Sequence, residues 1–289
     1  MTSYFRLLRP SQWIKNTFVF APLIFSLNLF NLSYLLVAVR GFVTFCLVSS
    51  SVYIINDIFD READRKHPLK RNRPIASGAV SVKGAIVLCF IVFAIASILS
   101  FRLALGFKVI VGSYFVLQIF YSAKLKNIVI LDVFIIASGF MLRVVGGAEV
   151  IDVVISHWII LCTMFLSLFI AIAKRRSEKK LLQHEQISTE RKVLRQYDIS
   201  FLDTTMVITA SGMAISYALY TVAERTVKVF GTENLMFTTI FVLFGIFRYL
   251  YLVTRENMGE NTVAIIIKDI PMFVTLCLWF LTCIVIIYL

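Results

Sequence analysis

Apolar residues along this chain run in long blocks with short polar clusters between them, and the blocks are too uniformly apolar to be read as one-sided helix stripes. Nine of them, at about 16–33, 35–55, 82–101, 103–121, 128–147, 153–173, 204–223, 235–253 and 271–289, come near the roughly 20 residues that an α-helix needs to cross a bilayer. The pattern predicts an all-α membrane protein, a bundle of nine transmembrane helices forming one domain over 1–289. Ahead of the first block, Phe5-Arg6-Leu7-Leu8-Arg9-Pro10 reads as a short amphipathic interfacial piece stopped by Pro10, with Ser11 placed to cap the next helix.

Composition supports this reading. Hydrophobic residues make up 59% of the 289 positions and charged residues 16%, and the mean hydropathy is +0.86, far from a soluble globular chain. A net charge of +12 raises nucleic acid as a partner, but the cations lie in short loops flanking apolar helices, without an aromatic platform beside them. Membrane lipid and phosphate are the expected partners, with no nucleic acid. Of the 29 lysines and arginines, 23 fall on one side of the predicted bundle and four (Arg40, Arg102, Arg225 and Lys228) on the other. The positive-inside rule then places the amino terminus and the charged loops in the cytoplasm, the expected setting being a bacterial plasma membrane. Cys46, Cys89, Cys162, Cys277 and Cys283 lie in apolar blocks with no CxxC pair, so neither a disulfide framework nor zinc is expected. His67, His157 and His184 are far apart and are not assigned as ligands. No cleavable signal peptide is evident.

The densest chemistry comes directly after the second block, in Asn56-Asp57-Ile58-Phe59-Asp60-Arg61-Glu62-Ala63-Asp64. On a continuous helix, Asn56, Asp57, Asp60 and Asp64 share one face, where their charges repel unless a cation sits among them. Hard oxygen ligands spread over two turns suit Mg²⁺, which takes one or two carboxylates, several waters and phosphate oxygens. The plain alternative is a solvated acidic helix end. Against it stands the adjoining loop, His67-Pro68-Leu69-Lys70-Arg71-Asn72-Arg73, together with Lys66: acid and base side by side describe a clamp for a metal diphosphate.

Other clusters fall on the same predicted face. Gln12, Lys15 and Asn16 share a helical face at the mouth of the first block, and Lys15 is open between phosphate contact and snorkelling. Tyr121, Lys124 and Lys126 join the fourth and fifth blocks, followed by Asp132 and, about 16 Å deeper on nearly the same face, Arg143. An intramembrane arginine either fixes helix packing through an ion pair or lines a polar cavity. Lys174 opens a basic stretch at a membrane edge, Asp198 and Asp203 offer a weak second metal position, and Arg248, Glu260, Lys268 and Asp269 form an interfacial lip.

With these motifs in view, the chain resembles the UbiA superfamily of intramembrane prenyltransferases, whose first aspartate-rich motif has the NDxxDxxxD form met by Asn56, Asp57, Asp60 and Asp64. Segments 9–23, 56–78, 121–148 and 244–249 look specifically like the decaprenyl-phosphate phosphoribosyltransferase branch. The resemblance implies helices around a central cavity open to the cytoplasm and laterally to lipid. It also implies Mg²⁺-dependent transfer of 5-phosphoribosyl from phosphoribosyl diphosphate to a polyprenyl phosphate, serving cell-envelope or glycan synthesis. Asp57, Asp60 and Asp64 would hold the metal. Asn56, Gln12, Lys15, Asn16, Lys66, Lys70, Arg73, Tyr121, Lys124, Lys126, Arg143 and Lys174 would bind substrate, and Asp132 would meet the ribose. Asp198 and Asp203 match the superfamily's second aspartate motif poorly, which favours the phosphoribosyl branch. The competing readings are a prenyltransferase acting on an aromatic acceptor and, from another class, a transporter.

Overall fold

The computed structural model describes residues 3–66, 70–185, 192–255, 265 and 268–289. His67, Pro68, Leu69, Arg191 and Glu260 lie outside that set. Among the described residues all regular structure is helical, and eight helices are long and apolar enough to cross a membrane. The chain gathers into two compact units, 1–155 and 156–289.

The first unit opens with α1 (Ser3–Leu7), a 3-10 helix Pro10–Phe20 and α2 (Ala21–Phe25). It continues with α3 (Leu32–Phe59), α4 (Arg61–Lys66), α5 (Val82–Ser100), α6 (Leu105–Ala123) and α7 (Leu131–Val150). Start signals are local: Asn31 caps α3 by accepting from the Ser33 N–H, and Ser81 caps α5 by accepting from that of Gly84.

Where one helix was expected over 16–33, the chain instead forms the 3-10 segment, the short α2 and a turn in which Leu27 takes a left-handed φ of 63°. The reason lies in the surfaces on which the segment packs. In a 3-10 helix residues three apart line up, each repeat advancing about 6 Å, the same as four residues of an α-helix. Trp13, Asn16 and Val19 therefore form one row. Trp13 Nε1 donates to Ser50 Oγ at 3.0 Å, and Asn16 Nδ2 donates to Ser49 Oγ at 3.2 Å and to Cys46 Sγ at 3.3 Å. Val19 comes against α7 so closely that any side chain on Gly147 would run into its carbonyl. Only glycine fits there, which is how small residues let membrane helices approach. Asn16 and Val19 of this segment are buried, and the 3-10 bonds satisfy its backbone internally.

Around this seam Val19, Leu23, Phe45, Val48, Phe107, Val111 and Tyr114 make the core of the unit. A second cluster, Leu7, Ile54, Ile75, Val80 and Ala85, fastens α1 and the loop after the aspartate motif onto α3 and α5.

The second unit contains α8 (His157–Glu185), α9 (Lys192–Gln196), α10 (Ile199–Val222), α11 (Glu224–Phe230), α12 (Thr239–Thr254) and α13 (Ile270–Tyr288). Gly212 of α10 seats against the Phe165 ring of α8. Tyr217 is its polar centre: its hydroxyl lies 2.6 Å from Thr238 Oγ1 and accepts from Trp279 Nε1 at 2.8 Å. In hydrocarbon such bonds hold helices together where apolar burial supplies little driving force. With eight apolar helices of this length and composition, the chain is a multi-pass integral membrane protein.

Candidate active site

The aspartate motif straddles a joint. α3 ends at Phe59, Asp60 sits between helices with φ −89° and ψ 1°, and α4 carries Asp64. The bonds from Asp60 N to Asn56 O at 2.9 Å and from Asp64 N to Asp60 O at 2.8 Å keep helical spacing across the joint. The side chains thus stay near one face although the helix does not run through.

The carboxylates meet protein cations here. Asp57, only 2% exposed, is bonded by Arg9 and by Arg73 Nη1 at 3.1 Å. The same Arg73 nitrogen donates to Asp64 Oδ2 at 2.6 Å. Lys126, expected on phosphate, is buried and paired with Asp60, which also accepts from Asn56 Nδ2 at 3.1 Å. Burying several carboxylates together is tolerable only with such partners.

Two of the three expected metal ligands, Asp57 and Asp64, therefore converge on a single cationic nitrogen, while Asp60 turns to Lys126. Among the described residues no group of three or more His, Cys, Asp or Glu side chains is arranged to hold a metal. The donor chemistry still fits a divalent ion: two hard carboxylates face one point of positive charge, the number Mg²⁺ takes when substrate phosphates and water complete its shell.

The mouth residues separate into two sets. In the 3-10 geometry Gln12 and Lys15 share a row, whereas Asn16 moves to the row of Trp13 and Val19, so the expected face of Gln12, Lys15 and Asn16 is split. Asn16 is fully buried, and its Oδ1 accepts from Arg143 Nε at 2.7 Å. Arg143 also donates to the Gly139 carbonyl at 2.7 Å and to the Tyr114 hydroxyl at 2.9 Å, and stacks over the Tyr114 ring at 4.7 Å. The partners of Arg143 are thus neutral groups of the bundle, with no ion pair of Arg143 among the described residues. Lys15 differs. Half-buried, it makes no hydrogen bond or ion pair among the described residues, and it lies in the field of Arg143 and Arg9.

Lys66 and Lys124 are exposed, and Lys70 and Tyr121 are half-buried. Asp132 is fully buried in the first turn of α7, just after Ile130, whose φ is 69°. Lys174 is half-buried on α8, in the second unit. There Asp198 caps α10 by accepting from the Ser200 N–H at 3.0 Å, and Asp203 pairs with Arg176. Both are thus occupied structurally.

Arg9 is the residue that sequence reading missed. Its backbone is left-handed, with φ 51°, and its guanidinium stacks over Tyr53 at 5.1 Å while bonding Asp57. No local signal marks that backbone, since a residue before proline ordinarily takes an extended conformation. A missed signal is the buried run Ser49-Ser50-Ser51 in an apolar helix, of which Ser49 and Ser50 bond the amino-terminal segment.

Comparison with known proteins bears on this geometry. Decaprenyl-phosphate phosphoribosyltransferase of Mycolicibacterium smegmatis is 37% identical over 217 residues, 74% of this chain and 68% of that protein. The protein of the same name from Corynebacterium glutamicum is 37% identical over 218 residues, 74% of this chain and 65% of its own length. Among solved structures, a UbiA homolog from Archaeoglobus fulgidus bound to GPP and Mg²⁺ superposes with a TM-score of 0.74 at 18% identity, over 99% of this chain and 100% of that one. It shares the fold. The model of the UbiA prenyltransferase family matches residues 17–277, taking in the aspartate joint, Asn16's partners on α3, and α7, and the chain belongs to that family.

Proposed function

We propose that the protein transfers 5-phosphoribosyl from phosphoribosyl diphosphate to a polyprenyl phosphate, giving polyprenyl phosphoribose and diphosphate. The observation that carries this reading is the 37% identity to two decaprenyl-phosphate phosphoribosyltransferases over 74% of the chain. The site is consistent with it. A phosphate oxygen of the lipid forms a bond to the anomeric carbon as the bond from that carbon to diphosphate breaks, and the electron pair leaves with diphosphate. The acceptor is already ionised at neutral pH, so the protein has no need of a strong general base.

Asp57 and Asp64, with Asp60 and Asn56 beside them, are the residues that would hold Mg²⁺, whose contribution is neutralisation of charge on the departing diphosphate. Lys15 is assigned to a phosphate because no group among the described residues engages it by a hydrogen bond or ion pair. Arg9, Arg73 and Lys126 balance the three carboxylates, and Lys15 is left to make the region positive for a polyanionic donor. Gln12, Lys66, Lys70, Tyr121 and Lys124 are assigned to the outer rim, and Asp132 to the ribose. Such fixed charge, set before the donor arrives, is commonly the largest catalytic contribution. For Lys174, on α8 of the second unit, a phosphate role rests on the sequence resemblance alone, and the clusters of the first unit are assigned to the cytoplasmic side of a bacterial plasma membrane.

The test is to incubate membranes containing the protein with labelled phosphoribosyl diphosphate and polyprenyl phosphate. Mg²⁺-dependent labelled lipid is expected. Absence of that product, with turnover of an isoprenyl diphosphate instead, would establish the aromatic-prenyltransferase reading in its place.

A further inference from the structure

At the end of the first unit remote from the aspartates, a cleft of about 480 Å³ lies between α3 and α5, lined by Arg40, Ser97, Ile98, Phe101 and Arg102. Arg40 stands 17 residues before Asp57 on α3, about 25 Å along the axis at 1.5 Å per residue. With a hydrocarbon core near 30 Å thick, the cleft belongs to the opposite membrane boundary from the proposed active site.

Its lining is unusual for a lipid-facing surface. Arg40 Nε donates to the Leu99 carbonyl at 2.7 Å, which pins the guanidinium in the cleft. Its two terminal nitrogens make no hydrogen bond or ion pair among the described residues, and neither does Arg102. Lys108 reaches the rim, donating to the Phe101 carbonyl at 3.4 Å. No acidic side chain lines the cleft. The walls are apolar and open, Ile98 being 71% and Phe101 78% exposed. Unpaired arginines at an apolar boundary are costly, and snorkelling toward water relieves them. The bond to Leu99 holds Arg40 back from that escape, so the charge calls for an anion that arrives within the membrane.

We propose that this cleft binds one anionic glycerophospholipid, its phosphate bridged by Arg40 and Arg102 and its acyl chains lying along Ile98 and Phe101. Guanidinium forks match phosphate oxygens two at a time. The apolar walls select a lipid over a soluble anion, and the paired cations select an anionic headgroup over a zwitterionic one. The site lies away from the transfer chemistry and does not depend on which substrate is transferred.

Native mass spectrometry of the purified protein titrated with phosphatidylglycerol, phosphatidylcholine or glycerol 3-phosphate tests the proposal. The wild type is expected to bind one phosphatidylglycerol in clear preference to phosphatidylcholine. Each guanidinium removed should weaken that binding about fivefold, first in Arg102→Gln and further in Arg40→Gln with Arg102→Gln. The exposed Lys228→Gln serves as control and should bind as wild type does. Because Arg40 also holds a backbone carbonyl, the single Arg102→Gln variant is the decisive one. Unchanged binding in Arg102→Gln, equal retention of phosphatidylcholine, equal weakening by Lys228→Gln, or displacement of the lipid by an equal concentration of glycerol 3-phosphate would each overturn it.

Discussion

Both units hold acid–base pairs, but they do so differently. In the second unit Asp203 and Asp269 each pair with one arginine among the described residues. Asp203 pairs with Arg176, which also donates to the Val253 carbonyl at 3.1 Å. Asp269 takes both arms of Arg248, at 3.1 and 2.7 Å, and caps α13 through the Met272 N–H at 2.9 Å. In the first unit the partners are shared: Asp57 has two arginines, and one of those also serves Asp64. A one-to-one pair that also caps a helix is complete in itself. A shared arrangement, with Lys15 unpaired among the described residues and in the field of Arg9, is one whose charges can be redistributed when a metal and a phosphate arrive.

That contrast can be broken by experiment. The largest effect is expected for Asp57→Asn, which should lower turnover of labelled phosphoribosyl diphosphate about 10²–10³-fold while the protein still inserts and keeps its helical circular dichroism. Asp203→Asn in the second unit should lose stability yet leave turnover near the wild-type rate. Equal loss of activity in both variants would erase the distinction.

Next, Arg73→Gln leaves Asp57 and Asp64 short of a cation and should cost about 3 kcal/mol of stability without divalent ions. Millimolar Mg²⁺ should recover much of that, read as the shift of the thermal unfolding midpoint. Arg176→Gln should cost about 1 kcal/mol, with no recovery by Mg²⁺. If Mg²⁺ acts alike on the two variants, Asp57 and Asp64 are not a metal site.

Smallest is the pH response of Asp269. The Arg248 fork holds its carboxyl below the usual carboxylate range. The unfolded chain therefore takes up the proton first on acidification, so the contribution is complete above the ordinary carboxylate value and fades as pH falls through the lower folded one. Asp269→Asn should lower stability by at most about 1 kcal/mol at neutral pH. Its midpoint should approach that of the wild type in acid; a gap that stays constant with pH would refute the ion-pair account.

Much of the fold was legible because bilayer thickness imposes a length on each apolar block, and α5, α6 and α7 fall close to the expected blocks at 82–101, 103–121 and 128–147. The first block departed from expectation because hydropathy reports how apolar a segment is, and says nothing of whether its backbone winds at 3.6 or 3 residues per turn. The aspartate motif was legible from composition and spacing alone. Its partners were not: Arg9 lies 48 residues from Asp57 in the chain and Lys126 66 residues from Asp60, and counting charges for topology gave Arg9 no individual role. The resemblance assigns Arg143 to substrate, and only coordinates reveal that Asn16, Gly139 and Tyr114 engage it.

The meshing of Trp13, Asn16 and Val19 with α3 and α7 makes the amino-terminal segment behave like a rack against a pinion. Inserting or deleting one residue between Pro10 and Phe20 turns everything beyond it by a third of a revolution, so the indole, the amide and the contact at Gly147 cannot all stay engaged. Substitutions there forfeit one tooth at a time, whereas changes of length strip the gear. Because Arg9 precedes this row, its reach to Asp57 is set by the same count of residues.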